Sequence, residues 1–194
     1  LMELSGIGQP DLLKSHGIEV KHELTGVGEH LRDHINAPIK FHMKRGDLSY
    51  NKRMQGLGPA WQVLRYVFQK RGFMSLPSAP MLAFLRTRDD METPDVQMHI
   101  VPYAVKNYKK RLLHDFPGIT MAVYQLRPES LGSIHIRSPL ASEQPAINFN
   151  FLSDQIDRDA MLGGVRKIRQ IMDTEAMKKV RGDEFLPGRE LESD

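Results

Sequence analysis

Cysteine is absent from all 194 residues. That excludes disulfides, cysteine-ligated iron–sulfur clusters and thiolate zinc sites, and it fits a reducing compartment such as the cytoplasm. No apolar run approaches the roughly 18 residues that a membrane-spanning helix needs. No secretory signal pattern opens the chain. Neither sign of charge dominates: 27 Lys and Arg face 24 Asp and Glu, a formal +3 spread along the sequence. The basic segments 104–111 and 166–181 have no interleaved aromatic residue apart from Tyr108, which argues against nucleic acid as a partner. A Gly-x-Ser-x-Gly elbow is missing as well, so Ser-His-Asp catalysis has no support.

What is present suits a soluble, loop-rich protein with a real core. Hydrophobic residues make up 40% and charged residues 26%, with 12 prolines. The length allows one large or two small domains. The chain opens at Leu1–Met2–Glu3–Leu4, which reads as the end of a helix already under way. It closes on the acidic stretch Glu190–Asp194. Both ends read as cuts within a longer protein.

The densest polar chemistry lies in Gly26–Val27–Gly28–Glu29–His30–Leu31–Arg32–Asp33–His34, with two glycines and five ionisable side chains in nine residues. Glycine permits positive φ and close approach to the backbone. Asp33 and His34 supply an acceptor and a donor. On a helix, His30 and His34 at i and i+4 would share a metal with Asp33 beside them. The glycines disfavour a helix and no third ligand offers itself, so no metal is expected.

Patterning predicts the elements. Pro10 opens a short helix over 11–16, with Gly17 after it. Gly6–Ile7–Gly8 reads as a tight turn rather than a nucleotide loop. Alternation over 35–48 predicts a half-buried strand with Pro38 at an edge or bulge. Gly58–Pro59 starts a helix whose face of Ala60, Trp61, Leu64, Val67 and Phe68 is expected in the core. Further strands are expected over 81–87, 95–103, 118–128, 133–137 and 146–151. Residues 104–117 read as an exposed, mobile loop. A helix capped by Ser153 or Asp154 follows, buried through Met161, Val165, Ile168 and Met172. Its Gly163–Gly164 pair costs about 1 kcal/mol per glycine, which close packing would offset. The fold class is α+β, a mostly antiparallel sheet of about five or six strands with helices packed on one face.

Leu4–Ser5–Gly6–Ile7–Gly8, the Gly26–His34 segment, Leu126–Ser138 and Pro145–Asp154 occur in an order that resembles the glucose–methanol–choline (GMC) family of FAD-dependent oxidoreductases. His30 stands where that family usually has Asn. The resemblance implies a division into 1–34, adjoining an FAD-binding domain, and 35–194, an incomplete substrate-binding domain. It implies oxidation of a primary alcohol with hydride transfer to FAD. It also implies that the Rossmann loop precedes Leu1 and that the catalytic histidine follows Asp194. No catalytic residue is then expected here, and the fragment alone would be inactive. The partners would be a small alcohol and the remainder of its own chain.

Gly26, Gly28, Asp33 and His34 become the candidates for FAD contact, and His99 with Gln97 the candidates for substrate contact. Pro80 stands near a position where choline-type relatives carry a carboxylate, which argues against a quaternary-ammonium substrate. The other histidines (His16, His22, His42, His114) read as surface residues, and His135 as sharing an outward face with Ser133 and Arg137. The rival reading is a stand-alone, non-catalytic module that binds a small molecule.

Overall fold

Alternation of apolar and polar residues builds the central sheet, and glycine lets a helix lie against it. The computed structural model describes residues 1–191; the last three residues of the acidic end lie outside them. The elements run β1 (Ile7–Gly8), α1 (Pro10–Ser15), β2 (His22–Glu23), β3 (Asn36–Met43), α2 (Tyr50–Arg53), α3 (Gly58–Gln69), β4 (Met81–Leu85) and β5 (Val96–Val101). Then come β6 (Val105–Asn107), β7 (Leu112–Leu113), β8 (Gly118–Gln125), β9 (Ser133–His135), β10 (Ala146–Asn148), α4 (Gln155–Met172), α5 (Glu175–Lys178) and β11 (Arg181–Leu186). They fall into two compact units. One is Leu1–Ile35 with Arg127–Asp159; the other is Asn36–Leu126 with Ala160–Asp194.

The second unit holds a five-stranded sheet in the order β11-β3-β8-β5-β4. Every neighbouring pair is antiparallel. The expected α+β class is therefore the observed one. Ile39, Phe41, Ile119, Met121, Val123, Val96 and Met98 are buried on one face. Met161, Ile168 and Met172 of α4 are buried too. A Cβ on Gly164 would run into Val123, and one on Gly163 would sit 2.6 Å from Thr87 Cβ. The glycine pair thus has the close-packing role its helix cost demands. Asp154 caps this helix, its Oδ1 accepting from the Ile156 N–H at 2.8 Å.

Two expectations fail, and one strand was not foreseen. Trp61 is 64% exposed and Phe68 80%, with Leu64 and Val67 also exposed. The buried residue of α3 is Gln62, which lies against the turn at Gly72. The helix is seated through that amide, and its apolar stripe points outward. Residues 104–117 are not a free loop. β6 and β7 pair as a hairpin whose base is fixed by the buried Asn51. Asn51 Nδ2 donates to the carbonyls of Ala104 and His114, both at 2.9 Å. Its Oδ1 accepts from the Ala104 N–H at 2.9 Å. Edge strand β11 was not foreseen, because Arg-Gly-Asp-Glu-Phe-Leu carries no apolar alternation.

Glu184 of β11 is fully buried, and Arg169 of α4 meets it with two hydrogen bonds of 3.1 and 2.8 Å. Breaking a buried pair by removing one partner leaves an uncompensated charge. Arg169→Met is therefore expected to lower stability by about 3–5 kcal/mol in denaturant unfolding. A loss below about 1 kcal/mol, the range of surface pairs, would contradict this.

Candidate functional site

In the first unit the Gly26–His34 segment is a turn followed by a bridge. Leu31 exchanges both backbone hydrogen bonds with Gly132, at 2.9 and 2.8 Å. His30 and His34 therefore do not share a helical face. His30 adopts φ +58°, the left-handed region in which Asn, Asp and His are the commonest non-glycine residues. The backbone accounts for Asn as an alternative at this position without invoking its amide.

The two glycines differ. Gly28 has φ +83°, and a Cβ there would sit 2.5 Å from the Ile134 carbonyl and 2.6 Å from the His135 ring. Its lack of a side chain serves packing within the chain. Gly26 has open space around the position of a Cβ. Asp33 and His34 are exposed, and Asp33 Oδ1 accepts from the His34 N–H at 2.7 Å. Gly28 lines a cavity of about 290 Å³ with Val27, Glu3, Ile134 and His135. Gly26, Asp33 and His34 do not line it.

His135 is partly buried, contrary to the outward face expected. Its Nδ1 lies 2.8 Å from Glu3 Oε1 and its Nε2 3.1 Å from Glu29 Oε1. Glu3 Oε2 also accepts from the Ile136 N–H at 2.8 Å. Gln9 Nε2 donates to Glu29 Oε1 at 2.6 Å. Carboxylates on both sides thus fix the ring against the loop. Asp157, at the start of α4, is buried and accepts from the Glu129 and Ser130 N–H groups at 2.9 and 2.8 Å.

A flavin dinucleotide needs a cradle for its pyrophosphate. Gly6 and Gly8 do not supply one among the described residues. Gly6, at φ +85°, is occupied by the Glu19 carbonyl, and Gly8 packs against Glu3. What the unit offers a large ligand is the open backbone at Gly26 and the exposed Asp33 and His34. None of the three lines the cavity beside Gly28.

In the second unit, cross-strand pairing places Asn36, Gln97 and Tyr124 side by side, and next to them Pro38, His99 and Ala122. This face is opposite to the apolar core. It holds a cavity of about 430 Å³, lined by Asn36, His99, Tyr103, Tyr108, Thr120 and Tyr124 among others. His99 stacks on Tyr124 with ring centroids 4.5 Å apart. Gln97 shares the face but not the cavity lining. Lys40 was missed from the sequence. It is 5% exposed, its Nζ donates to the Val105 carbonyl at 2.7 Å, and it sits 5.0 Å from the Tyr108 ring centroid. Burial lowers its pKa from the ordinary lysine value. No periodicity singled it out, since a lysine in an alternating strand reads as the wet face.

His42 and His114 are not plain surface residues either. Both lie against Phe116, at 4.4 and 4.6 Å between centroids. Burial, then Lys40 and Lys106, hold the His114 imidazole below its ordinary 6.5.

Residues 128–194 match the family profile described as GMC oxidoreductase. The whole chain is 32% identical to the oxygen-dependent choline dehydrogenase of Photobacterium profundum, covering 34% of it. It is 33% identical to the chloroplastic fatty acid photodecarboxylase of Chlamydomonas reinhardtii, again covering 34%. The chain thus spans about a third of the length of these curated relatives. Formate oxidase superposes on all of it with a TM-score of 0.83 at 23% identity, over 38% of that chain. Pyridoxine 4-oxidase from Mesorbium loti covers 97% of it with a TM-score of 0.69 at 18% identity, over 33% of that chain. These structures share the fold. The ordered motifs and these matches agree: the chain resembles GMC oxidoreductases along its whole length, and the family profile itself covers residues 128–194.

Two outcomes are expected. Gly28→Ala should cost about 1–3 kcal/mol through strain and overpacking, whereas Gly26→Ala should stay within about 0.5 kcal/mol; equal effects in thermal unfolding would contradict the distinction. The depressed pKa of His114 means that the unfolded state takes up its proton first as pH falls. Stability should therefore drop as pH falls below 6.5. His114→Phe should flatten that drop, and an unchanged profile would refute it.

Proposed function

We propose that the chain is the substrate-binding part of an FAD-dependent alcohol oxidoreductase, working in the cytoplasm as one segment of a longer polypeptide. The supporting observation is the polar, aromatic cavity on the free face of the sheet, in a chain spanning a third of its relatives. In this reading residues 1–34 adjoin the FAD-binding domain, and 35–194 form the substrate-binding domain. Gly26, Gly28, Asp33 and His34 contribute to the flavin side, with Gly28 acting by setting the loop against Ile134.

The bound flavin supplies the acceptor for a hydride as a primary alcohol becomes an aldehyde. This chain's residues bind and orient. His99, held by its stack on Tyr124, offers a ring nitrogen to a hydroxyl, and Asn36 and Thr120 add polar contacts. Gln97 extends the polar surface along the strand. Catalytic proton transfer is left to the remainder of the chain, and the 194 residues alone should not turn over an alcohol. One relative is a choline dehydrogenase. The cavity lining, which contains no Asp or Glu, and Pro80 support an uncharged or anionic alcohol instead.

The test is the gene product at its natural length. It should show a flavin absorbance spectrum that an alcohol bleaches. Gly26→Ala should weaken flavin retention while leaving the unfolding midpoint unchanged. A natural-length product that binds no flavin would overturn the proposal in favour of a non-catalytic binding module.

A further inference from the structure

The second unit has another cavity, of about 480 Å³, which shares Ser78, Tyr103, Val105 and Tyr108 with the first. Its remaining wall is almost wholly apolar: Tyr50, Met54, Phe73, Leu76, Pro77 and Leu113. Tyr50 and Phe73 support each other at 5.2 Å between ring centroids. The one charged lining residue is Arg111. It forms no ion pair and no side-chain hydrogen bond among the described residues. No Asp or Glu lines either cavity.

Backbone geometry, rather than a salt bridge, holds Arg111 in place. It sits at φ +52° in the β6–β7 turn. Its N–H donates to the Tyr108 carbonyl at 3.2 Å, and the neighbouring Lys110 N–H donates to Asn107 Oδ1 at 2.9 Å. The Asn51 hydrogen bonds fix the base of the same hairpin. A left-handed non-glycine residue is uncommon and needs its surroundings to hold it. Here it presents a guanidinium, whose charge is permanent, at an apolar cavity.

We propose that this cavity binds an amphiphilic carboxylate, with its apolar chain against Leu76, Phe73 and Met54 and its acid group on Arg111. The volume falls within the range of pockets that enclose drug-sized ligands. Apolar walls favour the chain through loss of hydrated surface. A guanidinium pairs with a carboxylate through strong charge-assisted hydrogen bonds. A neutral alcohol gains the first term but not the second. A quaternary ammonium meets a like charge with no carboxylate to offset it. Binding of this kind needs no flavin, so it stands or falls apart from the oxidoreductase reading.

The test is calorimetric titration of the protein with decanoate, decan-1-ol and decyltrimethylammonium. Decanoate is expected to bind about tenfold tighter than decan-1-ol, the worth of one charge-assisted hydrogen bond. The ammonium should bind weakest. Arg111→Gln should remove the preference for decanoate and leave decan-1-ol within about twofold. Arg111→Lys should restore part of it, and Leu76→Asp should weaken both chains. Circular dichroism and unfolding midpoints of the variants show whether the fold is intact. Equal affinity for decanoate and decan-1-ol, an unchanged preference in Arg111→Gln, or no binding of any probe would overturn the proposal.

Discussion

The close approach of α4 to the sheet at Gly163 and Gly164 governs the second unit. Each glycine costs about 1 kcal/mol of helix propensity, yet a side chain at Gly164 would collide with Val123 and one at Gly163 with Thr87. Successive residues of a strand point to opposite faces. Committing Val123, Met121 and Ile119 to the helix side therefore commits Thr120, Ala122 and Tyr124 to the other. That second face is free to form a cavity. The position of His99 follows from this, since register pairs it with Ala122.

Burial of polar groups makes the free face rigid. Lys40 and Asn51 are buried, and each is satisfied mainly by backbone carbonyls: Val105 for the ammonium, Ala104 and His114 for the amide. A buried polar group without partners is costly. Keeping both satisfied fixes the β6–β7 hairpin in space. Tyr108 and Arg111 therefore occupy set positions although the hairpin tip itself is exposed. The low dielectric that lowers the Lys40 pKa is the same condition that strengthens a hydrogen bond inside the cavity.

Much of the fold was legible because it rests on period and capping. The strands β3, β5 and β8 follow from alternation, α4 from its stripe and its Asp154 cap, and the α+β class from their order. Three features were not legible. The apolar stripe of α3 satisfies the helical period, but period alone does not say which side is covered; Gln62 is buried instead. β11 is held by the Arg169–Glu184 pair, a contact between residues 15 apart that leaves no apolar pattern. Strand alternation put His99 and Gln97 on one face, but not which of the two lines a cavity; His99 does and Gln97 does not. Lys40, Tyr108 and Arg111 were hidden, since their roles depend on a hairpin pinned from Asn51. At Gly28 the structure shows a packing constraint, the Ile134 carbonyl beside it, which the sequence did not reveal.

In the proposed function the free face of the sheet takes the alcohol while the Gly26–His34 loop does not. Histidine ring NMR on the natural-length protein, titrated with decan-1-ol, tests it most directly. The account predicts a shift of the His99 ring resonances with those of His34 unmoved. A shift at His34, or none at His99, would contradict it.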